Sequence, residues 1–188
     1  MSMIAPAPMR SVVSDVDGSL RIVIPSKKNW FAIIFLAIWL VGWTFAEFAV
    51  PSQIMRSRAS GHAPDYFIFV WMIAWTIGGF FALGTWLWTL AGKEIVTLDG
   101  QYVRHRRDVF GIGKTDTYDA AQIRRLRVSA PVTAWGGRDS GMQFWGMSGG
   151  WLAFDYGAQT RHVGAGIDES EAGELLKAIG RRFPQLCA

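Results

Sequence analysis

WFAIIFLAIWLVGWTFA, residues 30–46, contains no charged side chain. Glu47 follows, then Phe48, Ala49 and Val50 before Pro51. Crossing about 30 Å of hydrocarbon takes roughly 20 mostly apolar helical residues. Trp30 to Val50 meets that length with Glu47 at the far interface, where a carboxylate reaches headgroups and water at small cost. Residues 66–92, YFIFVWMIAWTIGGFFALGTWLWTLAG, form a second uncharged stretch. It exceeds the hydrocarbon thickness, so a helix there must tilt or project. Two such helices inside a soluble protein would need a large apolar shell, which the rest of the chain cannot supply. The sequence therefore predicts a transmembrane helical hairpin over 29–92, with helices at 30–50 and 66–91 and a loop at 51–65.

Composition agrees. Of 188 residues, 51% are hydrophobic and 18% charged, against about 25% charged in an ordinary soluble domain. Trp30, Trp86 and Trp88 fall near the same ends of the two stretches and suit an interfacial belt. Ala74, Gly78 and Ala82 recur every four residues, a small-residue face that admits a close helix partner. The first span of the same chain is the first candidate partner, and a second copy, giving a homo-oligomer, is the other. The first stretch reads as an uncleaved anchor: its apolar core is too long for a signal peptide and nearly thirty residues precede it.

Flanking charge sets the orientation. Arg21, Lys27 and Lys28 precede the first span, and Lys93, Arg104, Arg106 and Arg107 follow the second. The intervening loop carries Arg56 and Arg58. The excess at the ends predicts a multi-pass protein of the cell (inner) membrane with both termini cytoplasmic. A net charge of +4 argues for no nucleic-acid partner and is as expected beside a lipid bilayer. Cys187 is the only cysteine, so no intrachain disulfide forms and no oxidising compartment is required.

Residues 1–28 form a cytoplasmic N-terminal segment. Met1 to Ser14 reads as disordered, and Leu20, Ile22 and Ile24 alternate with Arg21 and Val23 as a short strand that can pair with the later sheet. Residues 93–188 alternate and turn like a small β domain, with strands at 94–98, 101–109, 113–118, 122–128, 142–147, 151–156 and 159–164. Asp99-Gly100 is a hairpin-turn signal. Ile123, Leu126 and Val128 fit a strand imperfectly. Residues 134–141 read as a glycine-rich loop. Asp168 is an N-cap candidate, with Glu171 completing a capping box. Leu175, Leu176, Ile179 and Phe183 form an apolar stripe, and Pro184 ends the helix.

The segments EIVTLDGQYVRHRR, AAQIRRLRV and WLAFDYGAQTRHVGAGIDESEAGELLKAIGRRF resemble the bacterial pleckstrin-homology-like (PH-like) domains found beside membrane hairpins. The resemblance covers about half the chain. It implies an α+β membrane protein whose cytoplasmic part is a PH-like antiparallel β-barrel of about seven strands with a C-terminal helix. It also implies a binding or scaffolding role rather than an activity.

Three motifs suggest enzymes and fit poorly. Gly146-Met147-Ser148-Gly149-Gly150, followed by Asp155 and His162, has the order of a hydrolase triad, but a strand follows where that chemistry needs a helix. Asp15-Val16-Asp17-Gly18-Ser19 resembles a phosphatase aspartate loop, yet a span begins about a dozen residues later where a large α/β domain should stand. Gly113-Lys114-Thr115 ends like a phosphate-binding loop but lies in a strand. His62, His105 and His162 are too scattered for a metal site. The chain is thus read as non-enzymatic, with no metal and no cofactor.

Arg104-His105-Arg106-Arg107 with Lys93 and Lys114 is the strongest binding signal. Near a bilayer each basic residue gains about 1 kcal/mol from anionic lipid headgroups. The competing reading is topology determination plus a solvated strand face, and Arg124, Arg125 and Arg127 are read in that way. The expected function is binding of a protein partner or the anionic lipid surface by the PH-like domain. The alternative is an accessory or assembly subunit of a membrane complex acting through its helices.

Overall fold

The computed structural model describes residues 9–59, 66–130 and 149–187. The expected strand at 142–147, the glycine-rich loop at 134–141, His62 and Ser148 lie outside the described residues. The chain divides into two compact units: Lys28–Leu90, and the segments on either side of it taken together.

The first unit is a pair of helices, α1 (Trp30–Ala59) and α2 (Tyr66–Ala91). Asn29 Oδ1 caps α1 by accepting from Ala32 N at 3.1 Å. The expected end of α1 at Val50 is wrong. The helix runs through Pro51 to Ala59, forfeiting one backbone donor without breaking. Both helices are long and apolar enough to cross a membrane. A core helix of a soluble protein would be mostly buried, whereas only 17% of the most apolar window of α1 and 6% of that of α2 is. Phe31, Ile38, Val41, Phe45 and Phe48 are all exposed.

Tryptophans join the two helices. Trp43 Nε1 donates to Trp75 O at 3.3 Å, and Trp86 Nε1 donates to Ile33 O at 3.0 Å. The Trp43 ring lies over Gly79, where an added Cβ would run into the indole. Thr76 Oγ1 donates to Glu47 Oε1, and Lys28 Nζ donates to Leu90 O. The expectation that Ala74, Gly78 and Ala82 receive α1 fails at Gly78. A Cβ there meets nothing within 4 Å, and Ala74 is exposed.

The second unit is α+β. Strands β1 (Val12–Val16), β2 (Ser19–Pro25), β3 (Gly92–Leu98), β4 (Tyr102–Val109) and β5 (Ile112–Asp119) form one antiparallel sheet in chain order. Strands β6 (Ile123–Val128), β7 (Leu152–Tyr156) and β8 (Gln159–Val163) form a second. Helix α3 (Glu169–Arg182) follows. The two sheets stand where one closed barrel was expected; among the described residues no ladder joins them.

The N-terminal segment, expected to be disordered to Ser14, supplies β1. Asp17 (φ 50°) and Gly18 (φ 79°) make the left-handed turn of a tight hairpin into β2. In turn β2 pairs with β3, Leu20 opposite Leu98 and Pro25 opposite Lys93. Neighbouring strands of one sheet thus flank the two long helices in sequence. Leu20, Ile22, Ile24, Val96, Leu98 and Val103 point to one face and pack with Leu152, Phe154 and Val163, and with Leu175 and Ile179 of α3. The imperfect pattern of β6 has a cause: a bulge between Arg124 and Arg127, with Arg125 at φ 52°.

The stripe on α3 is as expected, with Leu175, Ile179 and Phe183 buried. Its capping box is only half made. Asp168 Oδ1 accepts from Glu171 N at 2.9 Å. The Glu171 carboxylate turns instead to the N-terminal segment, accepting from Arg10 N (2.8 Å), Ser11 N (2.6 Å) and Ser11 Oγ (2.7 Å).

Candidate functional site

Side chains alternate across a strand, so the basic run of β4 divides between two faces. Lys93 sits opposite Asp108, and Arg104, Arg106 and Asp108 share that face. Arg107 sits opposite both Glu94 and Lys114 on the other. The five expected binding residues therefore do not form one patch.

Each of the five is also paired with a carboxylate. Arg106 grips Asp108 Oδ1 through Nε (3.0 Å) and Nη2 (2.8 Å), and donates to Gly111 O at 2.6 Å. Lys93 Nζ lies 3.4 Å from Asp108 Oδ2. Arg104 pairs with Asp99 at 3.1 Å and lies over the Tyr102 ring. Arg107 Nε stands 3.7 Å from Glu94 Oε1, and Lys114 Nζ 3.3 Å from Asp116. Five cations face four carboxylates, so the local surplus is small. Lys114, at 85% exposure, is the most available of them.

Two of those carboxylates are buried. Burial pushes the Asp108 carboxyl up, but Arg106, the Gly111 N–H and Lys93 outweigh it and hold it below the ordinary aspartate range. Glu94 is 2% exposed, on the core face. Its Oε2 accepts from Gly164 N at 2.7 Å, with His105 Nε2 3.6 Å away. Burial raises its carboxyl, yet His105, the Gly164 N–H and Arg107 together bring it below the ordinary value. Glu94 thereby ties β3 to the turn after β8.

The arginines of β6, expected to be a solvated face, are engaged in part. Arg125 Nη2 and Arg127 Nη2 reach Asp155 at 2.9 and 3.1 Å, and Thr160 Oγ1 donates to the same carboxylate at 2.7 Å. Thr160 first, then Arg127, keeps that carboxyl low.

Asp15 lies in β1 and is paired with Arg182, and Gly113-Lys114-Thr115 lies in β5. His162 Nδ1 is 3.2 Å from Gly150 O. Among the described residues no three His, Cys, Asp or Glu side chains form a ligand set.

One feature escaped the sequence reading. The β4–β5 turn, Phe110-Gly111, exposes Phe110 by 70% and Ile112 by 83%. A hydrophobic turn between two polar strands was the available signal. The chain matches no protein-family model, and no curated protein is similar to it.

Proposed function

We propose that this chain is a non-enzymatic integral membrane protein. In this reading α1 and α2 cross the cell (inner) membrane as a hairpin, both termini are cytoplasmic, and the strand-rich unit is a PH-like module working at the anionic lipid surface. One observation carries it: β2 ends at Pro25, β3 begins at Gly92 beside it, and the chain between them is two exposed apolar helices. A chain that leaves a sheet and returns to the adjacent strand must cross a bilayer an even number of times. Lys27, Lys28 and Lys93 at those ends support the cytoplasmic side.

Alkaline carbonate washing tests the anchor, because spanning helices stay with the lipid whereas peripheral chains are released. Hydrogen exchange in nanodiscs tests the lipid contact. Residues 106–116 should be better protected with phosphatidylglycerol present than with phosphatidylcholine alone, and Lys114→Glu should abolish the difference. Unchanged exchange, together with capture of one specific protein, would move the ligand from lipid to protein.

A second reading, an accessory or assembly subunit acting through its helices, is favoured by the open space at Gly78 and the exposed Ala74. Gly78→Leu should then disrupt co-purification of another chain or copy.

A further inference from the structure

We propose that the β4–β5 tip, Val109–Ile112, is a wedge that inserts Phe110 and Ile112 into the headgroup–acyl boundary of the bilayer. The proposal rests on the membrane reading above and adds a second, non-helical point of entry.

Sheet register places the tip. Val109 pairs with Gly92, and Pro25 with Lys93. The tip therefore projects from the end of the sheet where β2 stops and β3 starts. Gly92 directly follows Ala91, the last residue of α2. The opposite end, at the Asp99–Gln101 turn, is about 20 Å away along the strands. Of the two ends, the one that continues into the apolar helices carries the exposed Phe110 and Ile112.

The turn itself argues for a use. Phe110 has φ 52° and Gly111 φ 87°, a left-handed pair that asparagine or aspartate followed by glycine would fill best. A bulky side chain in that region is an outlier. At 70% exposure the ring gains little from the core. Neither local conformation nor packing accounts for phenylalanine there, whereas lipid does. Arg107 and Lys114 face each other two residues behind the Val109–Ile112 pair that closes the turn, 55% and 85% exposed, and set cations behind the apolar tip. An interfacial segment needs that order: apolar groups at the acyl boundary, basic groups at the phosphates.

The test uses the full chain with Cys187→Ser, in vesicles of equal parts phosphatidylcholine and phosphatidylglycerol. An environment-sensitive fluorophore is attached at single cysteines replacing Phe110, Ile112, Gln101 or Ile38. Lipids carrying a nitroxide high on the acyl chain serve as quencher. Labels at 110 and 112 should shift to shorter wavelength and be quenched well above the label at 101. If they behave like 101 while the label at 38, within α1, is quenched, the wedge is refuted and the membrane reading stands. If 38 is also unquenched, the membrane reading fails and the wedge with it. The two tip positions are independent, so loss of folding in one variant leaves the other to decide.

Discussion

Glu171 on α3 accepts the backbone N–H of Ser11, 160 residues earlier, at 2.6 Å. At the other end of α3, Arg182 pairs with Asp15 and donates to Gly18 O at 2.9 Å. Strand β1 is thus pinned along α3 at both ends. Glu171→Ala would leave buried donors of Ser11 unpaired, at a cost of about 3 kcal/mol. Hydrogen exchange at Val12–Val16 should accelerate strongly while β3 and β4 stay protected. Glu171→Gln, which keeps an acceptor, should lose less.

Acid should weaken the strand-rich unit through Glu94. Its folded carboxyl titrates below the ordinary value of 4.5. The stabilisation it gives is therefore complete above that value and disappears as pH falls through the lower, folded one. Denaturation midpoints should be level near neutral pH and drop in that acid window. Glu94→Gln should start less stable and show a shallower acid slope. An unchanged slope would remove Glu94 from the cause.

Phe110→Asn should separate stability from membrane contact. Asparagine tolerates φ 52° better than phenylalanine, so the variant should gain about 1 kcal/mol in chemical denaturation. The same change should reduce protection of residues 106–116 in anionic nanodiscs.

Adjacent glycines of α2 should respond in opposite ways. Gly79→Ala places a Cβ inside the Trp43 ring and should cost about 2 kcal/mol in helix-pair stability. Gly78→Ala fills open space and should change it by less than about 0.5 kcal/mol. Thermal unfolding in mild detergent measures both.

The helices were legible because an uncharged run longer than the hydrocarbon has few other uses. Alternation likewise revealed Leu20, Ile22 and Ile24 of β2, and the strand expected at 94–98 is β3, although its buried face includes Glu94. Strand β1 escaped because adjacent Val12 and Val13 break alternation, although Asp17-Gly18 carried the same hairpin signal as Asp99-Gly100. The continuation of α1 past Pro51 escaped because proline usually ends a helix. In the site, the basic character of Arg104–Arg107 was plain, but its division between two faces depends on strand register. So do the pairings with Glu94 and Asp108, which lie on facing strands or two residues along. Phe110 went unread because turns are ordinarily polar, and only its backbone conformation and exposure mark it out.

Sidedness of the loop between the helices probes the hairpin most directly. In a Cys187→Ser background, single cysteines replace Ala59, at the end of α1, and Gln101, in the β3–β4 turn, and intact cells are treated with a membrane-impermeant maleimide. Label on 59 without permeabilisation, and on 101 only after it, is the predicted result. Equal labelling of both positions in intact cells, or of both only after lysis, would contradict a two-helix crossing.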